Sequence, residues 1–182
     1  ILLRIFAAPE PLYFAPSVLI GAALLIFLVY CRRAYRSRLR KQVDEQIRLS
    51  LLSVAFLLLP LLCLFIVIAF MGRNPQARTV LLYGFCIFCG WITAIILGRT
   101  FKTLPFIGWN KVYHDKAAKG KTPAPKELFS EKLCKGMKIF YLSGFAVFIL
   151  GIIILNDILI TAGAAALLLA ALYYAGNVAV IL

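Results

Sequence analysis

Long apolar runs alternate with short polar stretches along this chain, and five of the runs are long enough to cross a bilayer. A helix rises about 1.5 Å per residue and needs about 20 apolar residues to cross the hydrocarbon core. The runs cover 12–31, 49–71, 79–98, 139–156 and 158–182. Unpaired backbone groups are not tolerated in lipid, and the alternation of a barrel strand is missing, so the runs predict helices. We therefore expect an all-α, polytopic transmembrane bundle, with residues 1–182 forming one transmembrane domain.

The composition agrees with a transmembrane protein and indicates which partner the positive charge attracts. The chain is 63% hydrophobic with a mean hydropathy of +0.95, whereas soluble domains are about 45–50% apolar. A net charge of +13 would point to nucleic acid in a soluble protein. Here the cations lie between the apolar runs, so we expect the lipid bilayer and its anionic headgroups as partners, and no nucleic acid.

The loops differ strongly in basic residues. Segment 32–48 holds seven Lys and Arg residues and segment 99–138 holds ten, whereas all other segments together hold three. By the positive-inside rule, 32–48 and 99–138 are cytoplasmic loops. The N-terminal end is then outside and the C-terminal end cytoplasmic. Because the chain starts at Ile1 rather than Met, we expect a fragment or processed chain, and hence part of a larger bundle.

Individual residues in the apolar runs predict where the helices bend, turn and pack. Pro60 lies within the second run and lacks a backbone donor, which predicts a kink. A tight outer turn at Asn156 and Asp157 predicts that the last two spans form an antiparallel hairpin. In the last span, small residues recur four apart and predict close helix packing. The pairs are Ala166 with Ala170 and Ala171 with Ala175.

The second cytoplasmic loop contains a predicted interfacial helix. Pro105 suits a helix start, and Phe106, Trp109 and Tyr113 then fall on one helical face. Aromatic residues of this kind, together with a snorkelling Lys102, favour the headgroup region. We expect a short helix on the cytoplasmic surface with these four residues as anchors.

The same loop carries a resemblance. The stretches Gly98–Trp109, GRTFKTLPFIGW, and Lys121–Glu131, KTPAPKELFSE, resemble the C-terminal half of bacterial membrane proteins that are distantly similar to haem–copper oxidase subunit I. The resemblance implies a bacterial cytoplasmic membrane, a larger helical bundle and a haem or nitrogen-oxide connection. That family binds its metals through histidines inside helices, whereas the single histidine here is His114, in a loop. No metal ligand can be transferred, so we expect no cofactor within this segment; a haem would need ligands from a preceding N-terminal portion.

Cys86 and Cys89 form a C-x-x-C pair inside the third run, and Cys63 lies at similar depth in the second. Three residues apart on an α-helix, the two thiols would share a face, as in membrane thiol oxidoreductases. Lipid burial disfavours the reactive thiolate, and a buried Cys also packs as a small apolar residue. We therefore favour packing and retain Cys86 and Cys89 as redox candidates.

Three functions remain open from the sequence. The first is a structural or accessory unit of a larger membrane assembly, with other transmembrane helices or subunits as partners. The resemblance implies that such an assembly is respiratory or nitrogen-oxide-related. The second is a transporter or lipid-handling protein. The third is a thiol oxidoreductase that uses Cys86 and Cys89. No catalytic residue is assigned, and a non-enzymatic role for this segment is favoured.

Overall fold

The all-α prediction is confirmed. The computed structural model describes residues 11–37, 45–66, 77–113 and 122–181, and every regular element in these ranges is helical. Five of the described helices are long and apolar enough to cross a membrane. Residues 67–71 of the second predicted span lie outside the described ranges, as does His114.

The helices follow the apolar runs, with different bounds. We number them α1 Pro11–Arg36, α2 Glu45–Phe56, α3 Leu58–Ile66, α4 Ala77–Phe85, α5 Thr93–Tyr113, α6 Glu131–Ile154 and α7 Asp157–Ile181; a π-helical segment, Cys86–Ile92, joins α4 to α5, and a 3₁₀ turn, Pro125–Leu128, precedes α6. The chain divides into two compact units. The described residues of the first are 11–37, 50–66 and 77–95, and those of the second are 45–49, 96–113 and 122–181.

In the first unit, α3 packs against α1, α4 and the π-helical segment. Gly21 of α1 is buried, and a Cβ at this position would lie 3.3 Å from the side chain of Leu61. The predicted interruption near Pro60 is present, because the helix breaks at Leu57, between α2 and α3. Pro60 is the third residue of α3, within the first turn, where a missing N–H leaves no helical bond unmade.

The third span is longer than predicted. We expected it to end at Gly98 and a separate helix to start at Pro105, but the helix continues from Ala77 to Tyr113. A proline inside a helix removes one backbone bond. The packing of its neighbours compensates, because Phe101 and Pro105 are buried and the Phe101 ring contacts Tyr174 of α7 at 5.4 Å. The non-helical part of the predicted loop 99–138 is correspondingly shorter, since α6 starts at Glu131.

The predicted hairpin of the last two spans is confirmed and is the tightest packing in the second unit. A Cβ on Gly144 would lie 2.9 Å from the backbone nitrogen of Leu167, and one on Gly163 would lie 2.6 Å from that of Phe148. The buried residues Gly163, Ala170 and Asn177 of α7 recur every seven positions, which is the spacing of a helix–helix seam. The two backbones therefore approach closely because glycine lacks a side chain at the contact.

Only one of the two predicted alanine pairs packs inside the chain. Ala166 lies next to Gly144, within 3.0 Å of where a Cβ on that glycine would be, and Ala170 is buried. Ala171 and Ala175 are exposed, so close packing at this pair stays a prediction for helices outside this chain. Four-residue spacing identifies residues on one face of a helix but does not say which face meets the neighbour.

Candidate functional site

The first unit contains two neighbouring buried thiols. Cys63 lies on α3 and Cys86 is the first residue of the π-helical segment, and α3 packs against that segment. The two thiols are close enough to interact, and their exposed fractions are only 7% and 2%. All five cysteines of the chain are within the described ranges and none forms a disulfide. The packing of two spans therefore places two buried sulfurs near each other.

The π-helical segment changes the angular spacing of the two cysteines that it carries. At its end, the backbone N–H of Thr93 donates to the carbonyl of Phe88, five residues earlier, and the Thr93 hydroxyl donates to the same oxygen at 2.8 Å. In an α-helix, residues three apart are about 60° apart around the axis. In a π-helix, with its i→i+5 bonds, they are roughly 115° apart.

Cys86 and Cys89 have different surroundings, because Cys86 is buried whereas Cys89 is half-buried. The π-helical turn separates the two residues further around the axis than the α-helix that the sequence predicts. The two thiols remain close enough to interact, so the redox role of the C-x-x-C pair stays a prediction.

The second unit contains a buried polar contact that fastens the start of α6 to α7. The side chain of Asn177 is fully buried. Its Oδ1 accepts a hydrogen bond from the backbone N–H of Ser130 at 2.9 Å, and its Nδ2 donates to the Ser130 carbonyl at 3.1 Å. The Ser130 hydroxyl in turn caps α6 by accepting from the N–H of Leu133 at 3.4 Å. One amide side chain thus satisfies both backbone groups of the residue that begins the fourth span.

Aromatic rings surround this contact. Phe101 of α5 lies 6.2 Å from the ring of Phe129, which precedes Ser130, and 5.4 Å from the ring of Tyr174. The hydroxyl of Tyr174 donates to Oγ1 of Thr100 at 3.4 Å. We call Thr100, Phe101, Phe129, Ser130, Tyr174 and Asn177 the Asn177 cluster. It joins α5, α7 and the segment before α6 within the second unit.

The four predicted interfacial anchors lie on α5, where Phe106, Trp109 and Tyr113 are three and four residues apart on one α-helix. Trp109 donates its indole N–H to the carbonyl of Pro123 at 2.6 Å, and its ring lies 6.5 Å from that of Tyr113. Phe106 is 58% exposed, and Lys102 is also exposed. Whether the four residues meet headgroups stays a prediction.

The hydroxyl groups within the described spans point back to their own helices. Those that donate to a backbone carbonyl three to five residues earlier are Ser53, Thr93, Thr100, Thr103, Ser143 and Thr161. Among the described residues, no buried side-chain nitrogen or oxygen lacks a hydrogen-bond partner. Such local bonds use the donor hydrogen of each hydroxyl within its own helix.

The described residues include no group of three or more His, Cys, Asp or Glu side chains placed to hold a metal ion. Comparison with protein-family models gives no match, and neither curated proteins nor solved structures show a similar chain. Function must therefore be argued from the contacts themselves.

The sequence indicated some of these contacts and missed others. Cys63 was placed at the depth of Cys86 from its position in the second run, and the packing of α3 places the two near each other. Asn177 was visible as a polar residue inside an apolar run, which is a useful signal in a membrane helix. Nothing in the pattern identified Ser130 as its partner, because the two residues are 47 positions apart.

Proposed function

We propose that this chain is a non-catalytic helical unit of a larger integral membrane assembly. The observation that carries the proposal is the internal use of polar groups in the described spans. Solute and ion pathways need polar or charged side chains that face a water-filled cavity. Here six hydroxyls donate to carbonyls of their own helices. The hydroxyl of Tyr174 and the buried amide of Asn177 bond across helices of the second unit. The polar contacts of the described spans are thus made within the chain.

The surface of the spans supports the same role. The most apolar window of the first span is only 6% buried within the chain, and that of the last span 11%, compared with 33% for the fourth. Five apolar helices of this length indicate an integral membrane protein in contact with lipid. We assign part of the remaining apolar surface to other transmembrane helices or subunits.

The family resemblance suggests which type of membrane assembly contains this chain. Together with residues 98–109 and 121–131, it supports a respiratory or nitrogen-oxide-related complex in a bacterial cytoplasmic membrane. That family binds its metals through histidines inside helices, whereas the one histidine of this chain, His114, lies in predicted loop sequence. No metal ligand of the family is therefore transferred to this segment.

The distribution of Lys and Arg supports a cytoplasmic location for the two loops that are rich in these residues, 32–48 and 99–138. Arg33 and Arg36 occupy the last turn of α1, and Lys132 and Lys135 lie near the start of α6. Cations near an anionic membrane surface contribute about 1 kcal/mol each to its attraction. Anionic headgroups at these helix ends are part of the proposal.

The test is purification of the full-length protein with its assembly intact. A tagged chain is extracted from its native membrane in mild detergent, and co-purifying proteins are quantified by mass spectrometry. An unrelated tagged five-span protein from the same membrane is the matched control. We expect at least one membrane partner in stoichiometric amount that the control lacks. A purified chain that is monomeric and that carries a solute or lipid across proteoliposomes would replace the proposal with a transport function.

A further inference from the structure

Two cations of α5 lie on the side of the helix that faces away from the rest of the chain. Leu97, Phe101 and Pro105 form its buried face, whereas Arg99 and Lys102 are exposed. Residues three apart on a helix have Cβ atoms about 5–6 Å apart, so the two charges are neighbours. No Asp or Glu occurs from residue 46 to residue 114. No carboxylate of this helix therefore neutralises the pair.

The packing of α5 against α7 sets the two helices in register. The Phe101 ring lies 5.4 Å from that of Tyr174, and a Cβ on Gly108 would lie 3.5 Å from the side chain of Ile181. Phe101 and Gly108 are seven residues apart, as are Tyr174 and Ile181. The two helical segments therefore run parallel, and α7 measures the depth of residues on α5.

This register places the cations at the edge of the hydrocarbon core. Tyr174 lies 17 residues after Asp157, the first residue of α7, which corresponds to about 26 Å of helix. Asp157 is charged and exposed, so it lies at or beyond the outer edge of a core that is about 30 Å thick. The level of Phe101 is thus still within the core, on the side away from Asp157. Arg99 lies about 3 Å deeper by the rise per residue.

The exposed residues of α5 follow the order of the chemical groups in a phospholipid. Ile96, toward the bilayer centre, is 51% exposed and matches the acyl chains. Arg99 and Lys102 come next. Trp109 follows Phe101 by eight residues, or about 12 Å, which is the level of the headgroups that Trp prefers. The cations therefore lie on the acyl side of the aromatic residues, a depth at which an ionisable side chain indicates a functional site.

We propose that Arg99 and Lys102 bind the phosphate of an anionic phospholipid of the cytoplasmic leaflet, with its acyl chains along Ile96. A guanidinium donates two parallel hydrogen bonds to a phosphate, and the ammonium of Lys102 adds a point charge from the next turn. Both long side chains can extend toward the headgroups. The bound phosphate offsets the free energy of placing two positive charges at the edge of the core.

This site deepens the headgroup contact of the proposed function and rests on the orientation given there, but it needs no partner subunit. A chain that keeps its stoichiometric partner and lacks the lipid site would overturn this inference alone. A chain that has the lipid site and no partner would overturn only the scaffold role.

The experiment measures lipid binding to the purified full-length protein in detergent by native mass spectrometry. Phosphatidylglycerol and phosphatidylcholine with identical acyl chains are titrated separately. We expect tighter binding of phosphatidylglycerol, because choline neutralises the phosphate charge of the other lipid. Inorganic phosphate should not displace the bound lipid, since it has no acyl chains. Equal affinity for the two lipids, or displacement by inorganic phosphate, would overturn a phospholipid site.

Variants assign the site to the two cations. Arg99→Gln should weaken phosphatidylglycerol binding about fivefold, and the double variant with Lys102→Gln about 30-fold, since each basic residue near an anionic lipid contributes about a fivefold change. Lys111→Gln is the matched control, because Lys111 is exposed on the same helix but 12 residues beyond Arg99, and it should leave the affinity almost unchanged. Equal losses in Arg99→Gln and Lys111→Gln would show diffuse attraction and contradict the site.

A measurement on the wild-type protein keeps the test independent of how the variants fold. Phosphatidylglycerol with a photoactivatable group on its acyl chain, next to the glycerol, is incorporated into membranes that contain the full-length protein. After illumination, the labelled peptides are identified by mass spectrometry. We expect label within residues 95–103. Label confined to other parts of the chain would contradict the proposed position of the lipid.

Discussion

Asn177 is a polar residue in an apolar helix, and its position is stabilised by two backbone bonds. Its amide matches the donor and acceptor of Ser130 at 2.9 and 3.1 Å. A buried amide without partners would be strongly unfavourable in an apolar environment. The same side chain therefore both requires the Ser130 contact and holds the start of α6 in place.

Replacing Asn177 with Ala should destabilise the protein by roughly 1–2 kcal/mol, because two hydrogen bonds are lost and membrane-protein bonds of this kind average about 0.6 kcal/mol each. The measurement is thermal unfolding in detergent, followed by circular dichroism. Asn110→Ala, at an exposed position of α5, is the matched control and should have little effect. Equal stability of the two variants would show that the Ser130 contact is not formed in the protein.

Leu155 is the described non-glycine residue with a positive φ, 61°, and it ends α6 in the left-handed conformation. This conformation costs an L-residue about 1–2 kcal/mol. Its side chain is 70% exposed, so little packing is lost when it is removed. Leu155→Gly should relieve the strain and raise stability by roughly 0.5–1 kcal/mol after the added chain entropy of glycine.

Leu155→Ala is the control for that substitution. It removes most of the same apolar side chain and retains the Cβ that causes the strain. A thermal midpoint for Leu155→Gly that does not exceed that of Leu155→Ala would count against the left-handed turn.

At the scale of elements, the α6–α7 hairpin depends on glycines at its contact. Gly163 faces the backbone of Phe148, and a Cβ at this position would lie 2.6 Å from its nitrogen. Backbone atoms cannot move aside as a flexible side chain can. Gly176 is on the same helix with no atom within 4 Å of its Cβ position, so the two glycines differ in contact while sharing a helical environment.

Gly163→Ala should therefore destabilise the hairpin by about 1–3 kcal/mol, the usual effect of overpacking. Gly176→Ala should be neutral or stabilising by up to about 1 kcal/mol, because alanine is the better helix former. Urea or sodium dodecyl sulfate titration of the detergent-solubilised protein gives both values. Similar losses in the two variants would argue against a close α6–α7 contact.

The interfacial placement of α5 is a second element-scale prediction. If Trp109 lies near the headgroups, shallow lipid-attached quenchers should reduce its fluorescence more than deep ones. Trp91 also emits, so the experiment uses a Trp91→Phe background. In that background, stronger quenching from the bilayer centre than from the headgroup level would refute the placement of Trp109, Lys102, Phe106 and Tyr113 at the interface.

At the scale of the whole molecule, the distribution of basic residues predicts the orientation in the membrane. Ala124 lies in the basic-rich segment before α6 and is exposed, whereas Ile158 lies at the turn between α6 and α7 and is 78% exposed. In a cysteine-free variant, a cysteine introduced at position 158 should react with an impermeant maleimide on intact cells. A cysteine at position 124 should react only after permeabilisation. The reverse pattern would invert the topology.

The sequence by itself determined the class and the number of spans. Apolar runs of about 20 residues have few stable arrangements, because backbone groups in lipid must bond within each helix. The same local reasoning identified the interruption near Pro60 and the hairpin turn at Asn156. These features depend on residues that are close together in the chain.

Only the tertiary structure determined which residues contact each other across helices. The continuation of α5 through Pro105 depends on Phe101 packing against Tyr174, and the role of Asn177 depends on Ser130. The proximity of Cys63 and Cys86 depends on the packing of α3 against the π-helical segment Cys86–Ile92. Helical periodicity gives the faces of a regular helix, whereas contacts across helices and departures from regularity arise from packing between distant residues.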